Sequence, residues 1–189
     1  MSLELRKHFE ELVSLTDEEF EPINSFFKHK KLKKHQYLIQ ENELVTHIYF
    51  VIKGLLKVSY IDSEGKEHII QFAMENWWVS DFHSFYNGVP SVMTIDCLED
   101  VELVYISKEN LEQICFENHK MEHFFRIKNS FGYVALQQRI LALLTTNAKE
   151  RFEKFAHQYP ELLQRVSKSV IAAYLGVSRE TLSRISNKL

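Results

Sequence analysis

Short apolar runs separated by turn residues fill the middle of the chain, and this pattern predicts β structure. The runs are rich in β-branched and aromatic residues, and turns containing Gly or Asp lie between them. Strands this short at such regular spacing are typical of a small antiparallel barrel or jelly roll. The predicted strands cover about residues 47–52, 55–61, 67–74, 93–98 and 102–106.

Helical periodicity precedes these runs. Apolar residues recur at helical spacing from Leu3 to Val13, which predicts an amphipathic first helix. Thr16 followed by Glu19 is the signature of a capping box, in which each side chain bonds to the backbone of the other residue. A second short helix is therefore expected directly after Thr16.

A single long helical pattern follows the predicted strands. It begins near Ser107 and continues with few breaks to about His157, and Pro160 ends it, so we expect a hinge there. The pattern carries more apolar residues than one small barrel can cover. We therefore expect one apolar stripe to pack against the barrel and another against a second copy of the chain, which predicts a homodimer.

The last segment, residues 168–189, has the pattern of a complete helix-turn-helix. Apolar residues such as Ile171 and Leu175 fall where the two helices would touch, and Gly176 supplies a turn that needs a residue without Cβ. Ser178 follows the turn and can cap the second helix through its hydroxyl. The spacing therefore predicts two short helices set across each other.

The second of these helices presents a polar arc on the side opposite its apolar residues. At about 100° per residue, the arc contains Arg179, Glu180, Ser183, Arg184 and Asn187. Arginine can donate two hydrogen bonds to guanine, and glutamate can accept one from the amino group of cytosine. We interpret the arc as a base-reading surface. The alternative is a helical hairpin with an ordinary solvated face.

Charge is distributed unevenly along the 189 residues, whose net charge is −3. From residue 149 onward eight Lys and Arg stand against four Glu, which gives +4, so residues 1–148 carry −7. A basic end on an acidic body concentrates phosphate affinity at the predicted helix-turn-helix. The composition itself is that of a soluble globular protein.

Two further sequence features bear on where the protein works. No apolar run reaches the ~20 residues that a membrane span needs, and the N-terminus lacks a signal-peptide pattern. We therefore expect a cytoplasmic protein without a membrane partner. Cys97 and Cys115 are too few for a disulfide scaffold or for a four-thiolate cluster within one chain.

Candidate metal and catalytic sites are weak. Cys115, His119 and His123 share one helical stripe and could bind zinc, although a solvated or dimer-edge face is the simpler interpretation. A cupin-type metal enzyme needs two histidines separated by one residue, whereas those of the predicted barrel are isolated: His47, His68 and His83. No nucleophile elbow, glycine-rich phosphate loop or carboxylate pair stands out, so no enzyme is predicted.

Barrel, long helix and helix-turn-helix in this order resemble the Crp/Fnr family of bacterial transcription regulators. The likeness covers nearly the whole chain. Its most specific motif is Ser178-Arg179-Glu180-Thr181 followed by Arg184, which is similar to the family's recognition helix. The spacing from Lys53-Gly54-Leu55 through Asp62–Glu67 to Trp77–Gly88 is similar to that of the family's effector barrel.

The resemblance implies an α+β fold with three parts. Residues 1–115 would form an antiparallel β-barrel of the cyclic-nucleotide-binding type with N-terminal helices, residues 116–145 a long dimerisation helix, and residues 146–189 a small helix-turn-helix domain. Because the sequence ends at Leu189, directly after the recognition helix, the family's β wing is expected to be missing and DNA affinity to be low.

The resemblance also implies roles for single residues. Base contacts fall to Arg179, Glu180 and Arg184, and the polar arc adds Ser183. The implied partners are double-stranded DNA, a second copy of the chain and RNA polymerase. Phosphate contacts fall to residues with hydroxyl or amine groups: Ser167, Lys168, Ser178 and Thr181.

The effector site departs from the family pattern. Where the family has Gly-Glu-Leu and then an Arg that pairs with a cyclic phosphate, this chain has Ser80-Asp81-Phe82, and Ser91 replaces the Arg. Asp81 would repel a phosphate with nothing to offset its charge. Phe124 and Phe125 replace the adenine-contacting hydroxyls, and the cysteine set of the iron–sulfur members is absent.

We therefore expect an unidentified small-molecule effector rather than cyclic AMP, and no cofactor is assigned. The residues expected around this effector are Phe72, Trp78, Ser80, Asp81, Phe82, Ser91, Val92, Phe124 and Phe125.

Together these features predict a homodimeric transcriptional regulator that binds a two-fold-related DNA site. An alternative from another class is a small-ligand-binding barrel whose shortened DNA-binding unit is vestigial. The expected lack of a wing favours this alternative, and the intact polar arc argues against it. A barrel enzyme is a third alternative, but the sequence contains no site for it.

Overall fold

Two short helices begin the described part of the chain, which is residues 3–186 of a computed structural model. They are α1 (Leu3–Glu10) and α2 (Asp17–Ser25). The Thr16 hydroxyl accepts a hydrogen bond from the Glu19 N–H at 3.3 Å, and the Glu19 carboxylate accepts one from the Thr16 N–H at 2.9 Å. This is the capping box that the sequence predicts.

The barrel is built from eight strands within residues 3–186. They are β1 (Lys28–Leu32), β2 (Tyr37–Ile39), β3 (His47–Lys53), β4 (Leu56–Ile61), β5 (Glu67–Ala73), β6 (Trp78–Val79), β7 (Thr94–Cys97) and β8 (Val101–Ser107). They form two four-stranded sheets, ordered β1-β8-β3-β6 and β2-β7-β4-β5. Their pairing is antiparallel, as the apolar runs predict. A short helix, α3 (Phe82–Asn87), lies between β6 and β7.

Strands β3, β4, β5, β7 and β8 match the predicted runs, whereas β1, β2 and β6 have no predicted counterpart. Strand β1 reads Lys-His-Lys-Lys-Leu and stands at the end of its sheet, so only one side of it is paired. Lysine-rich sequences are common on edge strands because they discourage pairing with other chains. The lack of apolar alternation explains why hydrophobic patterning misses this strand.

The turn between β3 and β4 requires glycine. Gly54 has a φ of +96°, and a Cβ there would collide with the backbone of Asp100 and with Val101. The Gly54 N–H donates a hydrogen bond of 2.7 Å to the Glu75 carboxylate. The predicted Lys53-Gly54 turn is thus confirmed.

Three helices follow β8: α4 (Lys108–Glu117), α5 (His119–Thr145) and α6 (Ala148–Gln158). The helical pattern predicted from near Ser107 to about His157 therefore has two breaks, and each lies at an asparagine. Asn118 caps the start of α5, where its side-chain oxygen accepts a hydrogen bond from the Lys120 N–H at 3.0 Å. Asn147 accepts two such bonds, at 3.0 and 3.1 Å, from N–H groups at the start of α6.

Helix α5 is buried in its first half and exposed in its second half. Met121, Phe124 and Phe125 are buried, and these belong to the first half. The second half exposes eight large apolar or aromatic side chains: Phe131, Tyr133, Val134, Leu136, Ile140, Leu141, Leu143 and Leu144.

The described chain ends with three more helices: α7 (Leu162–Arg165), α8 (Lys168–Leu175) and α9 (Arg179–Ser186). Helices α8 and α9 are the two helices predicted for the helix-turn-helix. Helix α6 ends at Gln158, so the end of the helical pattern before Pro160 is confirmed. Asn187 of the predicted polar arc lies outside the described residues.

The chain divides into two compact units, Met1–Ser59 with Phe72–Lys128 and Tyr60–Gln71 with Asn129–Leu189. The second unit therefore contains the tip of the β4–β5 hairpin together with the helix-turn-helix. The predicted three-part division of the chain stays a prediction. Within residues 3–186, none of the helices combines the length and apolar character that crossing a membrane requires.

Candidate nucleic-acid interface and effector region

The turn between α8 and α9 has the backbone geometry that the sequence predicts. Gly176 adopts the left-handed conformation, with a φ of 69° and a ψ of 33°, which glycine reaches without strain. The Ser178 hydroxyl then accepts a hydrogen bond from the Thr181 N–H at 3.2 Å and so caps α9. Leu182 is only 1% exposed and anchors α9 from its inner side.

The outer side of α9 presents the predicted guanidinium and carboxylate groups to solvent. Arg179, Glu180 and Arg184 are exposed, whereas Ser183 is half-buried on the flank of the helix. The pKa of Glu180 is lowered, first by the hydrogen bond to its own backbone N–H and then by the Ser178 hydroxyl. Glu180 therefore stays an ionised acceptor at neutral pH.

The predicted phosphate-binding residues lie at the starts of α8 and α9. Ser167 caps α8 by accepting a hydrogen bond of 3.4 Å from the Val170 N–H. The exposed Lys168 donates a hydrogen bond of 3.1 Å from Nζ to the Ser186 hydroxyl. The hydroxyls of Ser178 and Thr181 are 3.1 Å apart. Helix N-termini of this kind present free N–H groups to anions.

A groove beside α9 adds a residue that sequence reasoning missed. This depression of about 310 Å³ is lined by Lys149, Thr181, Arg184 and Ile185. Two cations and a hydroxyl around one concavity form a suitable environment for an anion. The sequence counts Lys149 only as part of the basic C-terminal region, because its proximity to α9 depends on the packing of α6.

Arginines hold α8 in place from inside the same unit. Arg151 donates a hydrogen bond of 3.1 Å from Nε to the carbonyl of Leu175, and it also bonds to the carbonyl of Thr146. Arg139 donates to the carbonyl of Tyr174 at 2.8 Å. The last carbonyls of a helix lack partners within the helix, so these cations stabilise the end of α8 next to the turn.

Asp81 of the predicted effector site is fully buried, and its charge is satisfied by the protein. Its carboxylate caps α3 by accepting hydrogen bonds from the N–H groups of His83 and Ser84 at 3.0 and 3.1 Å. The Ser91 hydroxyl donates a further bond of 2.7 Å to it. These three donors stabilise the buried carboxylate but carry no positive charge, so the expectation that Asp81 would repel a phosphate stays a prediction.

Aromatic side chains fill the space around Phe124 and Phe125. The ring of Phe124 lies 4.8 Å from that of Phe9, and the ring of Phe125 lies 5.2 Å from that of Trp78, between centroids. His8 joins this cluster, with its Nε2 accepting a hydrogen bond of 3.2 Å from the Trp78 indole. Sequence reasoning missed His8, although its position three residues after Leu5 and four before Leu12 places it on the apolar face of the first helix.

The other residues predicted around the effector are divided between the interior and the surface. Ser80 is buried and donates a hydrogen bond of 2.9 Å to the carbonyl of His47. Phe72 is also buried. Phe82 and Val92 are instead 36% and 55% exposed. The structure thus brings Asp81 together with Ser91, and Trp78 together with Phe124 and Phe125, rather than gathering all nine residues around one centre.

The Cys115 stripe does not bring its three candidate ligands together as a metal site. Burial raises the pKa of Cys115 to about 11, so its thiol stays protonated. The His119 side chain is 94% exposed, and His123 lies 3.0 Å from the Arg126 guanidinium. Among residues 3–186, no group of three His, Cys, Asp or Glu side chains is arranged to hold a metal ion.

Residues 29–118 match the cyclic nucleotide-binding domain family. The chain is 28% identical over 209 residues to the cAMP-activated global transcriptional regulator CRP of Haemophilus influenzae, covering 100% of this chain and 92% of that protein. It is 25% identical over 130 residues to the anaerobic regulatory protein of Bacillus subtilis, covering 69% of this chain and 55% of that protein.

The fold has solved counterparts as well. The structure of FixK2 from Bradyrhizobium japonicum superposes with a TM-score of 0.76 at 18% identity, covering 86% of this chain and 84% of that one. The predicted fold class is thereby confirmed. With its matched cyclic nucleotide-binding domain and its regulator relatives, the chain is similar to the Crp/Fnr family of transcription regulators.

Proposed function

We propose that the protein is a homodimeric regulator that binds DNA in a sequence-specific manner through α9. The observation that carries the proposal is the exposure of Arg179, Glu180 and Arg184 on a helix that is capped by Ser178 and anchored by Leu182. A fixed helix with two guanidinium forks and one carboxylate can read guanine and cytosine edges in the major groove.

The cations and hydroxyls near α9 support this docking. Lys168 and Ser167 start α8, and the groove beside α9 places Lys149 close to Thr181 and Arg184. Backbone phosphates bound at these points would fix the orientation of α9 without reading sequence. We therefore add Lys149 to the four phosphate-binding residues that the sequence predicts.

The exposed apolar side chains of α5 support the homodimer. A row of such residues on one helix costs free energy in water, and pairing with the same helix of a second copy would bury it. Two copies related by a two-fold axis would present two α9 helices to half-sites about one helical turn apart. RNA polymerase stays the predicted further partner, and the cytoplasm the predicted location.

We further propose that the effector of this barrel is not cyclic AMP. A buried cyclic phosphate needs a cation, and the position expected for it is taken by Ser91, whose hydroxyl already bonds to Asp81. Phe124 and Phe125 are packed against other rings where the family would contact adenine. Titration calorimetry with cyclic AMP should give no saturable heat, and micromolar binding would contradict this part of the proposal.

The main experiment is selection of binding sequences from random duplexes, followed by gel shift. We expect enrichment of a two-fold-symmetric site whose half-site centres are about 10 base pairs apart. Retention of duplexes without any sequence preference, or of no duplex at low salt, would contradict the proposal. The second outcome would instead favour a ligand-binding barrel without a DNA function.

A further inference from the structure

Arg139 makes an unusual set of contacts within the second unit. Its Nη2 donates hydrogen bonds of 2.8 Å to the carbonyl of Ile69 and of 2.8 Å to the carbonyl of Tyr174. The guanidinium carbon also lies 3.6 Å from the centre of the Tyr174 ring, which is a close cation–π stack. Arg139 is half-buried, and within residues 3–186 it forms no ion pair with a carboxylate.

These contacts join three elements that are far apart in sequence. Ile69 belongs to β5 of the β4–β5 hairpin, Arg139 to α5, and Tyr174 to α8 of the helix-turn-helix. An Nη2 group carries two hydrogens, so these two carbonyls use both of them. The ring of Tyr174 fixes the plane of the guanidinium, and this orients both hydrogens.

Hydrogen bonds from a single carboxylate hold the tip of the hairpin together. At its tip the Asp62 carboxylate accepts hydrogen bonds of 3.0 Å from the N–H groups of Glu64 and Lys66. Its other oxygen lies 2.6 Å from Nε2 of His68. Below the tip, β4 pairs with β7 of the barrel sheet, so the hairpin is continuous with that sheet.

We propose that Arg139 couples the β4–β5 hairpin to the helix-turn-helix. A displacement of the hairpin changes the position of the Ile69 carbonyl and hence of Arg139, and this alters the support of α8. By linkage, DNA bound at α9 must in turn alter the hairpin. This inference rests on the proposed DNA-binding function, and Arg139 acts in it as a positioning residue that touches no DNA.

The first test needs no DNA and uses hydrogen exchange on the full chain. Arg139→Met removes the guanidinium with both donors and keeps an unbranched apolar stem. We expect at least threefold faster exchange both in the hairpin, residues 60–71, and at the turn after α8, because both lose a shared support. The control Lys154→Met removes an exposed cation from α6 and should change neither region. Faster exchange at the turn alone would overturn the coupling.

The second test compares hairpin exchange in the wild-type protein with and without a saturating selected duplex. DNA should change exchange in residues 60–71 of the wild-type protein and of Lys154→Met, and should leave it unchanged in Arg139→Met. An equal response in Arg139→Met, or no response in the DNA-bound wild type, would overturn the proposal.

Arg139→Lys keeps the charge. It loses the planar guanidinium that stacks on the Tyr174 ring and directs two hydrogens at the two carbonyls. It should reduce the hairpin response to DNA at least twofold, and it gives the answer if Arg139→Met does not fold. A full wild-type response in Arg139→Lys and Arg139→Met alike would contradict the coupling. If the wild-type protein binds no DNA, the proposed function fails, while the exchange test without DNA still decides whether Arg139 links the two elements.

Discussion

At the scale of single residues, the proposed DNA contacts fall into two chemical classes. Arg179, Glu180 and Arg184 are exposed on α9, where the proposal has them contact base edges. Ser167 and Lys168 stand at the start of α8, where the proposal has them bind phosphates, which are the same in every sequence. The two classes predict different consequences of substitution.

Arg179→Ala should relax specificity. Loss of one guanidinium fork should cost about 1–3 kcal/mol of discrimination at one base pair and leave the affinity for unrelated duplexes nearly unchanged. The measurement is competition gel shift with every single-base variant of the selected site. An equal loss of affinity for all variants would show that Arg179 contacts phosphate instead.

Lys168→Ala should weaken binding to every sequence alike. Removing one phosphate contact should also lower the slope of log affinity against log salt by about 1. Fluorescence anisotropy at several salt concentrations measures this slope for the selected and for a scrambled duplex. A loss of affinity confined to the selected duplex would instead indicate that Lys168 contacts a base. The matched control is Lys154→Ala, which removes another exposed lysine.

At the scale of elements, the two halves of α5 have different surroundings. Its first half packs into the aromatic cluster of the first unit, and its second half is exposed. Leu136 and Ile140 are one turn apart on the exposed half, and they lie on the side opposite Gln138.

Ile140→Glu should dissociate the proposed dimer, because association would bury two unpaired carboxylates close to each other. Light scattering after gel filtration should show a dimer for the wild-type protein and a monomer for the variant at micromolar concentration. Gln138→Glu adds the same charge to the opposite side of α5 and should remain dimeric. A monomeric wild-type protein, or a dimeric Ile140→Glu variant, would contradict the assignment of this face.

Sequence patterns predicted the elements whose residues alternate or repeat by hydrophobicity, and they failed where polar side chains determine structure. The strands β3, β4, β5, β7 and β8 and the two helices after residue 167 are of the first kind. The break between α5 and α6 depends on the side-chain oxygen of Asn147, which a hydrophobic pattern does not register. The Asn147-x-x-Glu150 capping signature could have revealed this break.

The candidate site shows the same division. The turn at Gly176 and the exposure of Arg179, Glu180 and Arg184 on α9 follow from local spacing, and the structure has both as predicted. The roles of Arg139 and Lys149 depend on contacts with residues more than 30 positions away, which local spacing does not specify. The hydrogen bond from Ser91 to Asp81 likewise depends on how the loop after α3 folds back, and local spacing does not specify it.

At the scale of the whole molecule, stability should depend on pH through His8. This histidine is buried against Phe50 and Phe124, with its Nδ1 3.3 Å from Glu11, which in turn pairs with Lys128. Burial lowers the pKa of His8, the charge of Lys128 lowers it further, and Glu11 opposes both.

Because the folded pKa lies below the ordinary value of about 6.5, the unfolded chain binds more protons as the pH falls through that value. The free energy of unfolding should therefore fall between about pH 7 and pH 5. His8→Phe keeps the aromatic packing and should lose less stability over this range in urea unfolding, although it leaves the Trp78 indole without its acceptor. If the free energy of unfolding of His8→Phe depends on pH as steeply as that of the wild type, the role of His8 is contradicted. His119→Gln, which removes an exposed histidine, serves as the control.

The proposal as a whole depends on α9 holding its charged edge towards the solvent so that it can enter the major groove. The most direct measurement is the ratio of dissociation constants for a scrambled and a selected duplex, determined with the wild-type protein at physiological salt. A specific regulator should give a ratio of about 10³ or more. A ratio near one, or no association at low salt, would contradict the proposed function.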